Sequence, residues 1–283
     1  MTYNKYATFI LTFIITLISF TSCKKKETPK AIDNTIEGFE IATSFKNNDH
    51  TINIYTENGK FQVGYNLINI QIIDNNNQSI SNAIIQWKPT MYMNTMHHSA
   101  PYSNITTKNN TDNIYAGYIV FQMASDDAAY WELSIDYQIN GNQYNLTEKI
   151  NVQNALKRNI ETFVGSDSQN YIIALVDPKQ PKVAINDMTA LIFTTNNHSD
   201  YTPVENYKII IDPRMPGMGN HSSPNNENLT FGNNNLYNGK LSLTMTGYWK
   251  INLQLENNSG QVLKGEPISA SNESSSIFFE IEF

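Results

Sequence analysis

The chain has a single cysteine, Cys23, so no disulfide can form within it and the multi-thiolate sets that commonly hold structural zinc are excluded. Charge is scarce too. Only 16% of residues are charged, and 26 Asp and Glu against 19 Lys and Arg leave a formal net charge of -7. Without a broad basic face there is little to neutralise phosphates, which argues against nucleic acid as a partner. The local signatures of common catalysis are also missing: there is no G-x-S-x-G, no H-E-x-x-H, no Gly-rich phosphate loop and no carboxylate pair at a recognisable spacing. Asp126, Asp127 and Asp136 lack calcium-loop spacing and read as solvated turn and strand residues. A non-catalytic protein is expected.

What the chain does have is one unusual loop, written twice. Trp87-Lys-Pro89-Thr-Met91-Tyr-Met93-Asn-Thr-Met96-His97-His98-Ser-Ala-Pro101 is answered by Ile211-Asp-Pro213-Arg-Met215-Pro-Gly-Met218-Gly-Asn-His221-Ser-Ser-Pro224. The repeat continues downstream, where Tyr115-Ala-Gly117 returns as Tyr237-Asn-Gly239 and Tyr130-Trp131 as Tyr248-Trp249. Subtraction gives offsets of 215 − 91 = 124, 221 − 98 = 123, 237 − 115 = 122 and 249 − 131 = 118. So small a drift describes two tandem copies of one domain with loops trimmed by a few residues, each copy of a common domain size of roughly 100 to 150 residues.

Both halves alternate apolar and polar residues with period two, the pattern of half-buried strands. In the first half this predicts strands over 51–59, the first ending in the Asn58-Gly59 turn, and over 61–72, 83–87, 114–123, 130–139 and 143–152. In the second it predicts strands over 171–176, 182–185, 189–194, 206–211, 239–245, 249–255 and 276–283. Short strands with frequent Asn-Gly turns point to an all-β chain of two tandem immunoglobulin-like β-sandwich domains, residues 36–153 and 160–283, joined by a linker at 154–159. Trp87 is a candidate core tryptophan. The stretch 154–163 alone lacks alternation.

The beginning of the chain reads as a processing signal. Lys5 gives it a basic start, Phe9 to Phe20 is an apolar run broken only by Thr and Ser, and Thr21-Ser22-Cys23 ends it. That run is shorter than the about 20 residues that span a bilayer comfortably. Residues 1–23 resemble a bacterial lipoprotein signal peptide, with Phe20 standing where such signals usually carry Leu, Val or Ile. The resemblance implies that Cys23 is lipidated and becomes the mature N-terminus, with residues 24–35 as a charged spacer. The membrane is then a partner through that anchor, and the place is the bacterial envelope, at the periplasmic face or the cell surface.

Met-Pro-Gly-Met-Gly-Asn-His at 215–221, followed by Tyr237-Asn-Gly239 and Tyr248-Trp249-Lys-Ile251, is similar to the YtkA-like and FixH-like bacterial envelope domains. That resemblance covers nearly all of the second half. The first half shares its Trp strand but has Met91-Tyr-Met93-Asn-Thr-Met96 in place of Met-Pro-X-Met. It implies small sandwiches and proximity to copper-resistance and cytochrome-oxidase maturation functions.

Thioethers and imidazoles are ligands for soft metal ions, so Met91, Met93, Met96, His97 and His98 form one candidate ligand set and Met215, Met218 and His221 another. Copper is the candidate ion, bound for sequestration or for delivery to an envelope cuproprotein. Met is equally a flexible filler of irregular gaps, and loops that merely pack or contact an envelope protein partner remain the alternative. His50 and His198 fall in Asn-rich turns without a neighbour in sequence that defines a role.

Overall fold

Among the described residues, one apolar core drawn from 45–152 and another drawn from 171–281 divide the strands into two sandwiches. The computed structural model describes residues 36–108 and 113–283. The expected signal over 1–23, its Cys23 and the spacer over 24–35 lie outside the described residues.

The first sandwich is built on β1 (Glu40–Lys46), β2 (His50–Thr56), β3 (Gly64–Asp74), β4 (Ile84–Met93), β5 (Met96–Ser99), β6 (Tyr115–Phe121), β7 (Ala129–Ile139) and β8 (Asn142–Ile150). One of its sheets runs β1-β2-β3-β6 and the other β8-β7-β4-β5. In the second sandwich the principal strands are β9 (Ile160–Val164), β10 (Asn170–Asp177), β11 (Ala184–Thr195), β12 (Lys208–Met215), β13 (His221–Ser222), β14 (Glu227–Phe231), β15 (Tyr237–Leu243), β16 (Tyr248–Glu256) and β17 (Ile277–Glu282). Its sheets run β9-β10-β11-β15 and β17-β16-β12-β13, the same order element for element. Strand β14 is the exception, since it pairs with both β15 and β12 and so joins the two sheets along one side.

Each sandwich has its own core. Trp131 and Trp249 are fully buried, and their indole N–H groups donate to the carbonyls of Met123 at 2.9 Å and Met245 at 3.0 Å. Trp87 is buried in the first core and donates to Ser103 O at 2.8 Å. Burying a large apolar side chain contributes about 1.5 to 3 kcal/mol, so such cores carry most of the fold's stability. The glycine of each Tyr-X-Gly repeat has a steric reason. A Cβ on Gly117 would lie 2.7 Å from the Trp87 ring, and one on Gly239 would press into the Glu227 and Asn228 backbone where β14 crosses.

A third apolar cluster joins the halves. Val120 of β6 is buried with Ile172, Ala174 and Val176 of β10 and Leu191 and Phe193 of β11, so one outer sheet face of each sandwich packs on the other. Asn159 reinforces the contact, donating from Nδ2 to Val63 O at 3.2 Å and accepting at its backbone carbonyl from Leu175 N–H at 2.8 Å. Residues 36–108 and 113–283 accordingly belong to one compact unit.

Among the departures from the sequence expectation are strands at Glu40–Lys46 and Glu227–Phe231 that it lacked, strands that run on through Met93 and Met215 into the Met/His loops, and three further details. The strand expected over 61–72 breaks at Val63, because Phe61–Gln62 pairs in parallel with Val152–Gln153 before Gly64, at φ +96°, redirects the chain. The two strands expected over 182–185 and 189–194 are one, β11, whose first half pairs with β15 and whose second half pairs with β10. Within 154–163, Ile160–Val164 is a strand; its alternation is hidden because the buried position is Glu161. That carboxylate accepts from Phe278 N–H at 2.8 Å and from Arg158 at 2.6 Å, and burial raises its pKa despite both partners.

Candidate functional site

The two Met/His loops are hairpins with one register. In the first, β4 and β5 pair Met91 with His98, Tyr92 with His97 and Met93 with Met96; in the second, β12 and β13 pair Met215 with His221. Residues directly opposite on antiparallel strands share a face, and alternate residues of one strand share it too. Met91, Met93, Met96 and His98 therefore lie on one face of the first hairpin. His97 is on the other, its ring 6.2 Å from that of Tyr92.

Burial sorts these residues further. Met91 is fully buried in the first core and Met215 is buried in the second, so both thioethers serve packing. Met96 and Met218 are 67% and 57% exposed, and His221 is exposed as well. The second loop stands on the surface around the short 3-10 turn Pro216–Met218. The first loop has a more enclosed outlook. Met93, Met96, His97 and His98 line a pocket of about 760 Å³ that is also lined by residues of the second sandwich, including Phe163, Tyr171 and His198.

His98 is the best-defined of these side chains. Its ring packs edge-on against Trp131, centroids 5.3 Å apart, and its Nδ1 lies 2.7 Å from Ser99 O. A carbonyl oxygen only accepts, so Nδ1 carries the proton and the lone pair is on Nε2. Burial against the core holds the His98 pKa below its ordinary value, the bond to Ser99 O opposes this, and His198 adds a smaller push downward. The ring is thus neutral around physiological pH. A backbone carbonyl that fixes the tautomer while Nε2 stays basic is the usual support behind a metal-bound histidine.

Fit to a soft ion can be judged from the donors. The hairpin face offers two thioethers and one imidazole nitrogen with a fixed tautomer, a set that suits Cu(I) better than hard cations. Among the described residues no group of three or more His, Cys, Asp or Glu is placed to hold a metal, which leaves the thioethers as necessary members of any such site. Gln122 also lines the pocket; its Nε2 donates to Tyr201 Oη at 3.0 Å, while its Oε1 is buried without a partner among the described residues.

His198 is the residue that local sequence did not reveal. It sits at φ +56° in the turn after β11, and its carbonyl accepts from Ser99 N–H at 2.9 Å, one residue beyond His98.

The second sandwich carries a family signature. Residues 165–254 match the model of the YtkA-like family. The matched segment runs from the turn between β9 and β10 into β16, and so contains Met215, Met218, His221, Tyr237 and Trp249. Among solved structures, a DUF4785 family protein from Legionella pneumophila is similar at 9% identity with a TM-score of 0.26. The alignment covers 77% of this chain and 56% of that one. No curated protein matches the sequence.

Proposed function

We propose that this chain is a non-catalytic bacterial envelope protein, tethered by a lipid on Cys23, that binds copper for sequestration or for delivery to an envelope cuproprotein. The supporting observation is the first hairpin face, where Met93, Met96 and His98, whose Nδ1 is held by Ser99 O, line one pocket. Met96 and His98 would be the principal ligands there and Met93 an auxiliary one, while Met91 anchors the hairpin in the core. In this reading both halves derive from a YtkA-like and FixH-like domain, a proposal supported by their matching strand order. The second loop, with Met215 buried and Met218 and His221 exposed, is a weaker site or a contact surface.

Competition for Cu(I) between the purified protein and a chromogenic Cu(I) chelator, under reducing conditions, tests this. The parent should withdraw about one equivalent from the chelator, and Met96→Ala with His98→Ala should abolish that. A parent that leaves the chelator fully loaded would sink the reading.

The alternative, a recognition module without metal, draws support from the pocket's apolar lining of Phe163, Val164 and Ile172 and from the unpaired Gln122 Oε1. Such a pocket suits a partner's apolar side chain with a nearby hydrogen-bond donor. In that case the parent would carry no copper, and changes at Phe163 would matter more than changes at Met96.

A further inference from the structure

The copper reading leaves the hairpin face with two thioethers and one imidazole, all from the first sandwich. The pocket is also lined by residues of the second sandwich, among them His198. Resting on that reading, we infer that His198 completes the site, so that one ion would be enclosed by Met93, Met96 and His98 from the first sandwich and by His198 from the second. The binding site then exists only because the two sandwiches pack together.

Three observations carry this. The first is that the backbone of His198 is fixed to the strand that carries His98. Ser99 N–H donates to His198 O at 2.9 Å, and Tyr201 Oη lies 3.2 Å from Ser99 O and 3.3 Å from His198 O. Gln122 Nε2, from the end of the first sandwich's β6, bonds the same Tyr201 hydroxyl at 3.0 Å. The two histidines are 198 − 98 = 100 positions apart in sequence, yet one hydrogen bond separates their immediate backbones.

The second is conformational. His198 holds φ +56°, a left-handed geometry in which Asn, Asp and His are the enriched non-glycine residues, in a turn otherwise rich in Asn, so the backbone here accepts either His or Asn. Its N–H is held by Thr195 Oγ1 at 3.0 Å, so the turn is built by neighbours and by the His198 backbone. The third is that the ring itself does nothing structural: it is exposed, and its nitrogens have no hydrogen-bond partner among the described residues. An imidazole that lines one pocket with a second imidazole and two thioethers, and that makes no hydrogen bond of its own among the described residues, has donor chemistry to offer.

Two imidazoles with two thioethers form a four-donor set for a monovalent soft ion. The test uses the full-length chain in detergent, titrated with Cu(I) against a chromogenic chelator, with X-ray absorption on the loaded protein. His198→Asn is the principal variant because Asn accepts the left-handed turn, and unchanged thermal unfolding without metal would show that the fold is intact. His198→Asn is expected to weaken Cu(I) binding by at least the roughly ten- to hundredfold that even outer-shell changes cost at metal sites. The absorption spectrum should lose one of two imidazole scatterers while the sulfur shell stays. His198→Asn binding like the parent, with the same imidazole count, would overturn the inference and leave the hairpin site standing. A parent that binds no Cu(I) would remove both.

Discussion

Tyr237 holds in the second sandwich the place that Tyr115 holds in the first, and each hydroxyl ties down the segment entering the loop-bearing strand. Tyr115 Oη accepts from Ala83 N–H at 2.8 Å and lies 3.3 Å from Ile80 O; Tyr237 Oη accepts from Tyr207 N–H at 3.2 Å and donates to Val204 O at 2.8 Å. The bonded positions are related by 204 − 80 = 124 and 207 − 83 = 124, the offset of Met91 and Met215. The tyrosines thus set where both Met/His hairpins begin.

Replacing either tyrosine by Phe keeps the ring and removes the hydroxyl, leaving a backbone N–H and a carbonyl without their partner. Each variant is expected to lose about 1 to 3 kcal/mol, the scale of an unsatisfied buried polar group. Urea denaturation of Tyr115→Phe and Tyr237→Phe measures this directly, and unchanged midpoints would mean the corner contributes nothing.

Phe193 is buried in the cluster between the sandwiches, so truncating it attacks their packing and spares both Trp-centred cores. Phe193→Ala should cost about 3 to 5 kcal/mol, the range for emptying a buried Phe site. Residues 160–283 alone would expose Ile172, Leu191 and Phe193 together and are expected to self-associate, which sedimentation velocity would detect. A monodisperse fragment with the stability of the parent would contradict this.

His98 makes stability depend on pH in a definite direction. Its folded pKa lies below the ordinary 6.5, chiefly because burial disfavours the charged ring. The unfolded chain therefore takes up the proton first as the solution is acidified. Stability from this group is fully present above 6.5 and is lost as pH falls through the depressed folded value. Denaturation midpoints of the parent should decline over that window, and those of His98→Gln should decline less; parallel profiles would refute the assignment.

Cys23→Ser tests the anchor. If the Cys follows a true lipoprotein signal, the variant should be released from membranes or accumulate unprocessed. Normal maturation and membrane retention of the Ser protein in fractionation would refute lipidation.

The fold was legible because period-two alternation and the repeated Tyr-X-Gly and Tyr-Trp blocks depend on packing within one sandwich, which local sequence records. The same alternation could have sorted the loop residues. Counting by twos from the core residue Trp87 reaches Pro89, Met91 and Met93, which warns that Met91 continues the core row before the hairpin turns. The candidate set of Met215, Met218 and His221 is divided between a strand end, a 3-10 turn and a second strand, so Met215 is buried while Met218 is not. His198 was beyond reach for another reason. Its partners lie across the boundary between sandwiches, and nothing within several residues of it in sequence encodes that contact. Likewise the packing of β6 on β10 and β11 joins residues that each look like ordinary strand positions, since outer faces carry no special alternation.

The segment between the sandwiches has a consequence for how the molecule would break. Leu156 is 94% exposed, whereas on one side Val152–Gln153 is paired into the first sandwich and on the other Asn159 is bonded to Val63 and Leu175. Among the described residues Leu156 offers a protease an open target, yet a cut there severs the backbone without releasing either end from its place. The nicked protein should travel as one particle on a column and as two pieces on a denaturing gel. Covalent continuity would then be dispensable once the chain has folded, and the two sandwiches could be supplied as separate polypeptides that find each other.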